Sequence, residues 1–194
     1  MNAIEALTKR VSAGPLTEPA PDDAALHQIL AAAARAPDHG RLRPWRFVII
    51  RGPARERFGE LLARCLHKRM PEIQPAQLER EKMKPMRAPL IIAVCAKIHR
   101  EAHIPEIEQV LSAGAAAQNI MLATYALGYG CAWKTGDAAY DPEVKTALGL
   151  APDDAIVGFL YLGTNAKPLP APAPVNMQDH VAEWSRVAEP ALSQ

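Results

Sequence analysis

The densest chemistry in the chain lies between Arg35 and Phe47, which reads Arg-Ala-Pro-Asp-His-Gly-Arg-Leu-Arg-Pro-Trp-Arg-Phe. Prolines and a glycine restrict this backbone, while arginines and one imidazole give it anion-binding chemistry. Two further polar clusters interrupt apolar runs: Arg10-Val11-Ser12 and Trp133-Lys134-Thr135-Gly136. Arg10, Arg35 and Lys134 supply cations, Ser12 and Thr135 supply short hydroxyls, and loop N–H groups supply neutral donors. Together they suit a phosphate joined to a polyol and a flat ring. Each cluster alone also fits a solvated connection, or a charge at the end of a helix or strand.

Other constellations carry less. His99 and His103 stand at i, i+4, a spacing that shares a helix face, but no third ligand is evident and Pro105 follows at once. Cys65 and His67, two apart, would point to different faces of a helix, and no serine sits in a nucleophile elbow. Neither a G-x-G-x-x-G before a helix nor a phosphate-binding Walker sequence is present. The expectation is therefore no metal centre and no side-chain nucleophile, with the chemistry supplied by an organic cofactor.

The elements that must position these clusters follow from periodicity. Asn2–Arg10 reads as a first helix with Ile4 and Leu7 on its apolar side, and Thr17–Pro21 as a polar turn. Asp22 or Asp23 caps a second helix running to about Ala34, with Leu26, Ile29, Leu30 and Ala33 on one face. Arg46–Arg51 is a short strand. A helix follows Gly52-Pro53, with Phe58, Leu61, Leu62, Cys65 and Leu66 at helical spacing. Residues Lys68–Arg87 are charged and weakly patterned, helical in part at Gln77–Lys82, and read as a mobile surface cover. Pro89–Ala96 fits a strand covered on both faces. The longest helical pattern runs from Glu108 to about Gly128; its alanine-rich first half predicts close approach of a neighbouring element. Cys131–Trp133 and Ile156–Gly163 read as strands, with a short helix from Asp141 to Leu148 between them. A proline-rich extended arm occupies about 165–194, with a short helix near Asp179–Val187. Four strands interleaved with helices give an α/β or α+β architecture.

The 194 residues suit a single domain, and the 49% apolar and 22% charged fractions are those of a soluble globular chain. A formal net charge of +1 gives no global reason to bind nucleic acid or an anionic membrane. Cys65, Cys95 and Cys131 each lie in apolar runs and read as reduced, buried thiols of a cytoplasmic protein. The amino terminus lacks the basic start and long apolar core of a signal peptide, and Val110–Trp133 reads as a buried helix and strand, not a membrane span.

Arg-Ala-Pro-Asp-His at 35–39 with Pro44-Trp45, the leading Arg10-x-Ser12, Gly128–Gly136 and Ile156–Gly163 together resemble the nitroreductase superfamily, most closely its short bacterial YdjA-like NAD(P)H nitroreductases. The resemblance covers nearly the whole chain in order. It implies an α+β fold with a mostly antiparallel central sheet, and a long hydrophobic central helix at a homodimer interface. It implies two FMN sites shared between subunits, with Arg10, Val11, Ser12, Arg35, His39, Trp133, Lys134 and Thr135 as cofactor contacts. The activity it implies is hydride transfer from NAD(P)H through flavin to an electron-poor acceptor such as a nitroaromatic or quinone. Two alternatives stand beside it: a flavin-binding or partner-binding protein without turnover, and a specialised flavin dehydrogenase. The chain departs from its relatives in carrying Val11 and Gly14 where basic residues are common, and Arg43 where Gln or Asn is frequent. Which cation serves the flavin N1–O2 edge is therefore left open by the sequence.

Overall fold

The computed structural model describes residues 1–184. Five antiparallel strands form one sheet: β1 (Leu16–Thr17), β2 (Trp45–Arg51), β3 (Leu90–Ala96), β4 (Gly130–Lys134) and β5 (Ala155–Asn165). The longest strand, β5, pairs with β3, β4 and β1, and β2 pairs with β3 from Trp45↔Ala96 to Arg51↔Leu90. The helices are α1 (Ala3–Lys9), α2 (Asp23–Ala33), α3 (Ala54–Arg69), α4 (Pro75–Lys82), α5 (Glu106–Ala126) and α6 (Pro142–Ala147). The architecture is α+β, as expected.

Every residue of β3 is buried, so its side chains alternate between two cores. Ile91, Ala93 and Cys95 face Phe58, Leu61, Leu62 and Cys65 of α3. Leu90, Ile92, Val94 and Ala96 face the opposite core, which holds Leu26 and Ile29 of α2 and Ala113, Ala116, Ala117 and Ile120 of α5. Ala113, Ala116 and Ala117 of α5 are fully buried, consistent with the close approach their size allows. Polar pegs fix α5 as well. Ser112 Oγ donates to the Pro37 carbonyl at 2.7 Å and Asn119 Nδ2 to the Ala32 carbonyl at 3.1 Å. Both bonds tie α5 to the C-terminal end of α2 and the loop after it. The outward side of α5 is different: Ile107 and Leu111 are 62% and 63% exposed, and a Cβ on Gly114 would meet nothing within 4 Å.

The caps follow the sequence. Asn2 Oδ1 accepts from Glu5 N and Asp22 Oδ1 from Ala25 N, each at 2.8 Å. The observed sheet has one strand more than expected. Leu16 and Thr17, the second of them the start of the expected Thr17–Pro21 turn, gain strand geometry only by pairing with Thr164 and Asn165 at the far end of β5. The weakly patterned segment before β3 contains α4 and a 3-10 turn, Lys84–Arg87. It packs so closely on α3 that a Cβ on Gly59 would collide with the Lys82 carbonyl. His99 and His103 lie in the irregular connection before α5 and not on a helix; among the described residues no three His, Cys, Asp or Glu side chains are grouped as metal ligands. The arm leaves β5 at Asn165 without regular structure until a 3-10 turn at Met177–Asp179. Of the helix expected near Asp179–Val187, residues 185–187 lie outside the described residues.

Candidate functional site

On the α3 side of the sheet the packing leaves a cavity of about 710 Å³. Its floor is β-sheet (Ala132, Phe159, Tyr161), one wall is α3 (Phe58, Leu62, Leu66), and its rim carries charge. Residues Ala13–Leu16 form another wall, held to β4 by a bond from Ala13 N to the Cys131 carbonyl at 2.9 Å. That bond fixes the chain leaving α1 against β4, but Arg10, Val11 and Ser12 themselves do not line the cavity, and Arg10 lies near Cys131, whose side chain belongs to the α2–α5 core.

Arg10 is the C-cap of α1 and its backbone is already extended. Its Nη1 is buried and has no hydrogen-bond partner. Burying a guanidinium donor without an acceptor is costly, so this atom calls for an acceptor that the described residues do not supply. Burial pushes the Cys131 thiol up to about 12, and the nearby Arg10 charge pulls in the opposite direction. Ser12 is exposed and Val11 half-buried.

Lys134 and Thr135 line the cavity at the end of β4, where Gly136 turns the chain at a φ of 89°. Trp133 next to them is committed elsewhere. Its indole lies over Gly158, where any Cβ would strike it, and Nε1 donates to the Val157 carbonyl at 3.3 Å. Within this chain Trp133 thus offers the site backbone more than ring.

Arg35 and His39 do not reach the cavity. Arg35 is exposed just past α2, and His39 Nδ1 lies 2.7 Å from Glu108 Oε2 on α5. The fold gathers these two at the α2–α5 end of the molecule instead. Their loop is wound left-handed at Gly40, Arg41 and Arg43, with φ values of 68°, 56° and 50°. Non-glycine residues hold that conformation only when their surroundings enforce it. Here Asp38 Oδ2 accepts from Arg43 N at 2.7 Å, and Pro44 behind it is fully buried.

Five cavity residues were invisible to sequence reasoning: Arg69, Glu81, Lys84, Arg87 and Tyr161. Arg69 is held by Asp141 and lies 3.9 Å from Asp137. Lys84 Nζ lies 2.5 Å from Glu81 Oε2. Arg87 and Lys134 make no ion pair among the described residues. Burial pushes the Tyr161 phenol up to about 12, with Arg87 drawing it down and Glu81 adding to the rise. It is neutral at physiological pH. The usable signal was the charged run Lys84-Pro85-Met86-Arg87 immediately before a fully buried strand, which mirrors the arginine-rich run before β2.

The Nitroreductase family model matches residues 7–164. The chain belongs to the nitroreductase family. Its relatives include YdjA of Escherichia coli (strain K12), provisionally named an NAD(P)H nitroreductase. The two are 40% identical over 179 residues, 92% of this chain and 96% of that protein. A Haemophilus influenzae protein with the same provisional name is 33% identical over 84% of this chain and 89% of its own length. Among solved structures, a nitroreductase-like family protein from Bacillus cereus superposes with a TM-score of 0.82 at 22% identity, covering 96% of this chain and 97% of that one. A provisionally named nitroreductase from Desulfovibrio desulfuricans, solved in complex with FMN, matches with a TM-score of 0.72 at 26% identity, covering 94% and 98%. In this nitroreductase-family chain the family match thus spans α1 through β5, and the proline-rich arm lies beyond it.

Proposed function

We propose that this protein is a homodimeric FMN-dependent oxidoreductase that takes reducing equivalents from NAD(P)H and passes them to an electron-poor acceptor, a nitroaromatic or quinone. The observation that carries the reading is a cavity of flavin-compatible size rimmed by Lys134, Thr135 and Arg87, with a buried, unpartnered donor, Arg10 Nη1, a few residues before its Ala13–Leu16 wall. The residues present fit FMN. Arg10 would hold the phosphate, Ser12 the ribityl hydroxyls, and the backbone at Trp133–Thr135 the ring edge. Neither Gly14 nor Gly136 has an atom within 4 Å of where a Cβ would stand, so both leave open space along the site. When bound, FMN supplies the two-electron carrier that no side chain here provides. The chain's own work is to orient the ring, exclude water with Phe58, Leu62 and Phe159, and present cations where negative charge develops.

The dimer belongs to the same reading. Arg35 and His39 lie off the cavity, as residues serving a partner's site would. The exposed apolar stripe of Ile107 and Leu111, with open space over Gly114, supports a helix contact between two copies. The arm would be an appendage of a single domain. Among the described residues no helix is long and apolar enough to cross a membrane, and three free buried thiols support a reducing, cytoplasmic setting.

A visible spectrum of the purified protein tests this directly. A yellow protein that bleaches with NADH or NADPH and re-oxidises with a quinone is the expected result. Bound FMN without turnover across an acceptor panel supports the binding-only alternative. A colourless protein that takes up no added FMN removes both.

A further inference from the structure

The cavity's charges are not equally available. Arg69 is committed to Asp141, so its charge is offset before anything binds. Arg87 and Lys134 face the cavity without a carboxylate partner among the described residues. Lys84 is intermediate. It lines the cavity, yet Glu81 holds it at 2.5 Å and lines the same cavity. An exposed pair three residues apart would be an ordinary surface contact of little consequence. This pair is lopsided: the Lys84 side chain is 43% accessible, but the Glu81 side chain only 14%. Both Glu81 and Arg87 are felt at the buried Tyr161 hydroxyl, with opposite sign, which places the carboxylate within electrostatic reach of the cavity floor.

We propose that Glu81 sets the redox poise of the bound flavin, by cancelling part of the positive charge that Lys84 would otherwise present to it. The inference rests on the FMN reading above. Oxidised flavin is neutral in its ring system. Two electrons and one proton convert it to a ring anion whose charge lies on the pyrimidine edge. Any cation in a partly dehydrated cavity favours the reduced form, and any carboxylate opposes it, because the low dielectric leaves their fields poorly screened. Glu81 therefore acts as a tuning residue through Lys84. It keeps the flavin easier to re-oxidise than Arg87, Lys134 and an unopposed Lys84 would.

The test is the two-electron midpoint potential of bound FMN, measured with the affinity for oxidised FMN, in the full-length wild type and in Glu81→Gln, Lys84→Met and the double variant. Glu81→Gln is expected to favour reduced over oxidised flavin by roughly tenfold, a rise of about 30 mV for a two-electron couple. Lys84→Met is expected to move the potential the other way, and the double variant to return near wild type. An unchanged or lowered potential in Glu81→Gln overturns the proposal. Should that variant fail to fold, Lys84→Met decides from the other side of the pair: a potential that does not fall overturns the proposal equally. Wild-type protein that takes up no FMN overturns the functional reading and this inference together, whereas bound FMN with an unmoved potential overturns this inference alone.

Discussion

On the α2–α5 face of the sheet, Ala33, Ala113, Ala116 and Ala117 are fully buried and the helices approach on small side chains pinned by Ser112 and Asn119. On the α3 face, Phe58, Leu62 and Leu66 stand over Phe159 and Tyr161, and the space between α3 and the β4 end stays open at about 710 Å³. The same strand, β3, supplies alternate residues to both. One face thus spends its apolar surface on rigidity, and the other leaves room and lines it with charge. A site needs both: a chamber keeps its shape only if the layer behind it does not yield.

The contrast can be broken first where packing is densest. Ile120→Ala is expected to destabilise the protein by about 2–5 kcal/mol, because a fully enclosed residue leaves a void its neighbours cannot fill. Leu66→Ala, on the cavity wall and only half-buried, should cost clearly less in the same denaturant titration. Equal losses would erase the distinction between the faces.

Arg10→Ala sharpens the distinction on the open side. It is expected to weaken FMN binding by about 1.5–3 kcal/mol, the worth of a charged hydrogen bond. It should leave the stability of the flavin-free protein unchanged or raised, since Nη1 has no partner to lose. FMN titration and thermal melting of the flavin-free protein measure the two halves; a large loss of flavin-free stability would make Arg10 a structural residue instead.

Gly114→Ala probes the outward side of α5. The helix should gain about 0.5–1 kcal/mol from the lower chain entropy of alanine. Sedimentation should show weaker self-association if two copies meet there, and no change in association would move the contact elsewhere. The smallest effect near neutral pH concerns the thiols. Burial pushes Cys95 and Cys131 up to about 12 and Cys65 up to about 11, from an ordinary value of 9.0. A folded pKa raised above the unfolded one means stability is fully present below pH 9 and declines as pH climbs toward those values. Urea titrations from pH 8 to 10.5 should show that decline, smaller in Cys131→Ala, and thiol reagents should react only after unfolding.

The sequence made the framework legible where one physical rule dominated. The alternation and apolar runs of β2, β3 and β5, and the capped repeats of α2 and α3, place those elements within a few residues of where they stand. β1 was not legible, because two residues become a strand only through a partner 147 positions away in the chain. The site divided in the same way. Lys134 and Thr135 reach the cavity and Arg10 is a buried donor at the end of α1, since each adjoins a recognisable element boundary. Glu81, Lys84, Arg87 and Tyr161 converge through tertiary packing of α4 on α3, and beyond the charged run before β3 no local pattern announces that. Lys68–Arg87 looked like a loose cover because its helix turns outward almost everything but the residues that matter.

The placement of the tryptophans has an optical consequence. Trp133 is clamped over Gly158 on the strand that borders the cavity, Trp45 pairs with Ala96 on β2, both packed against the α2–α5 core, and Trp184 on the arm is 84% exposed. Two indoles therefore sit at different places on one core face, and the third lies in solvent. Emission from Trp133 should be quenched by a yellow chromophore arriving beside β4, that of Trp45 should follow global unfolding, and the red-shifted signal of Trp184 should yield to acrylamide. Single-tryptophan variants would turn the chain into its own fluorimeter, reading chamber, sheet and arm separately.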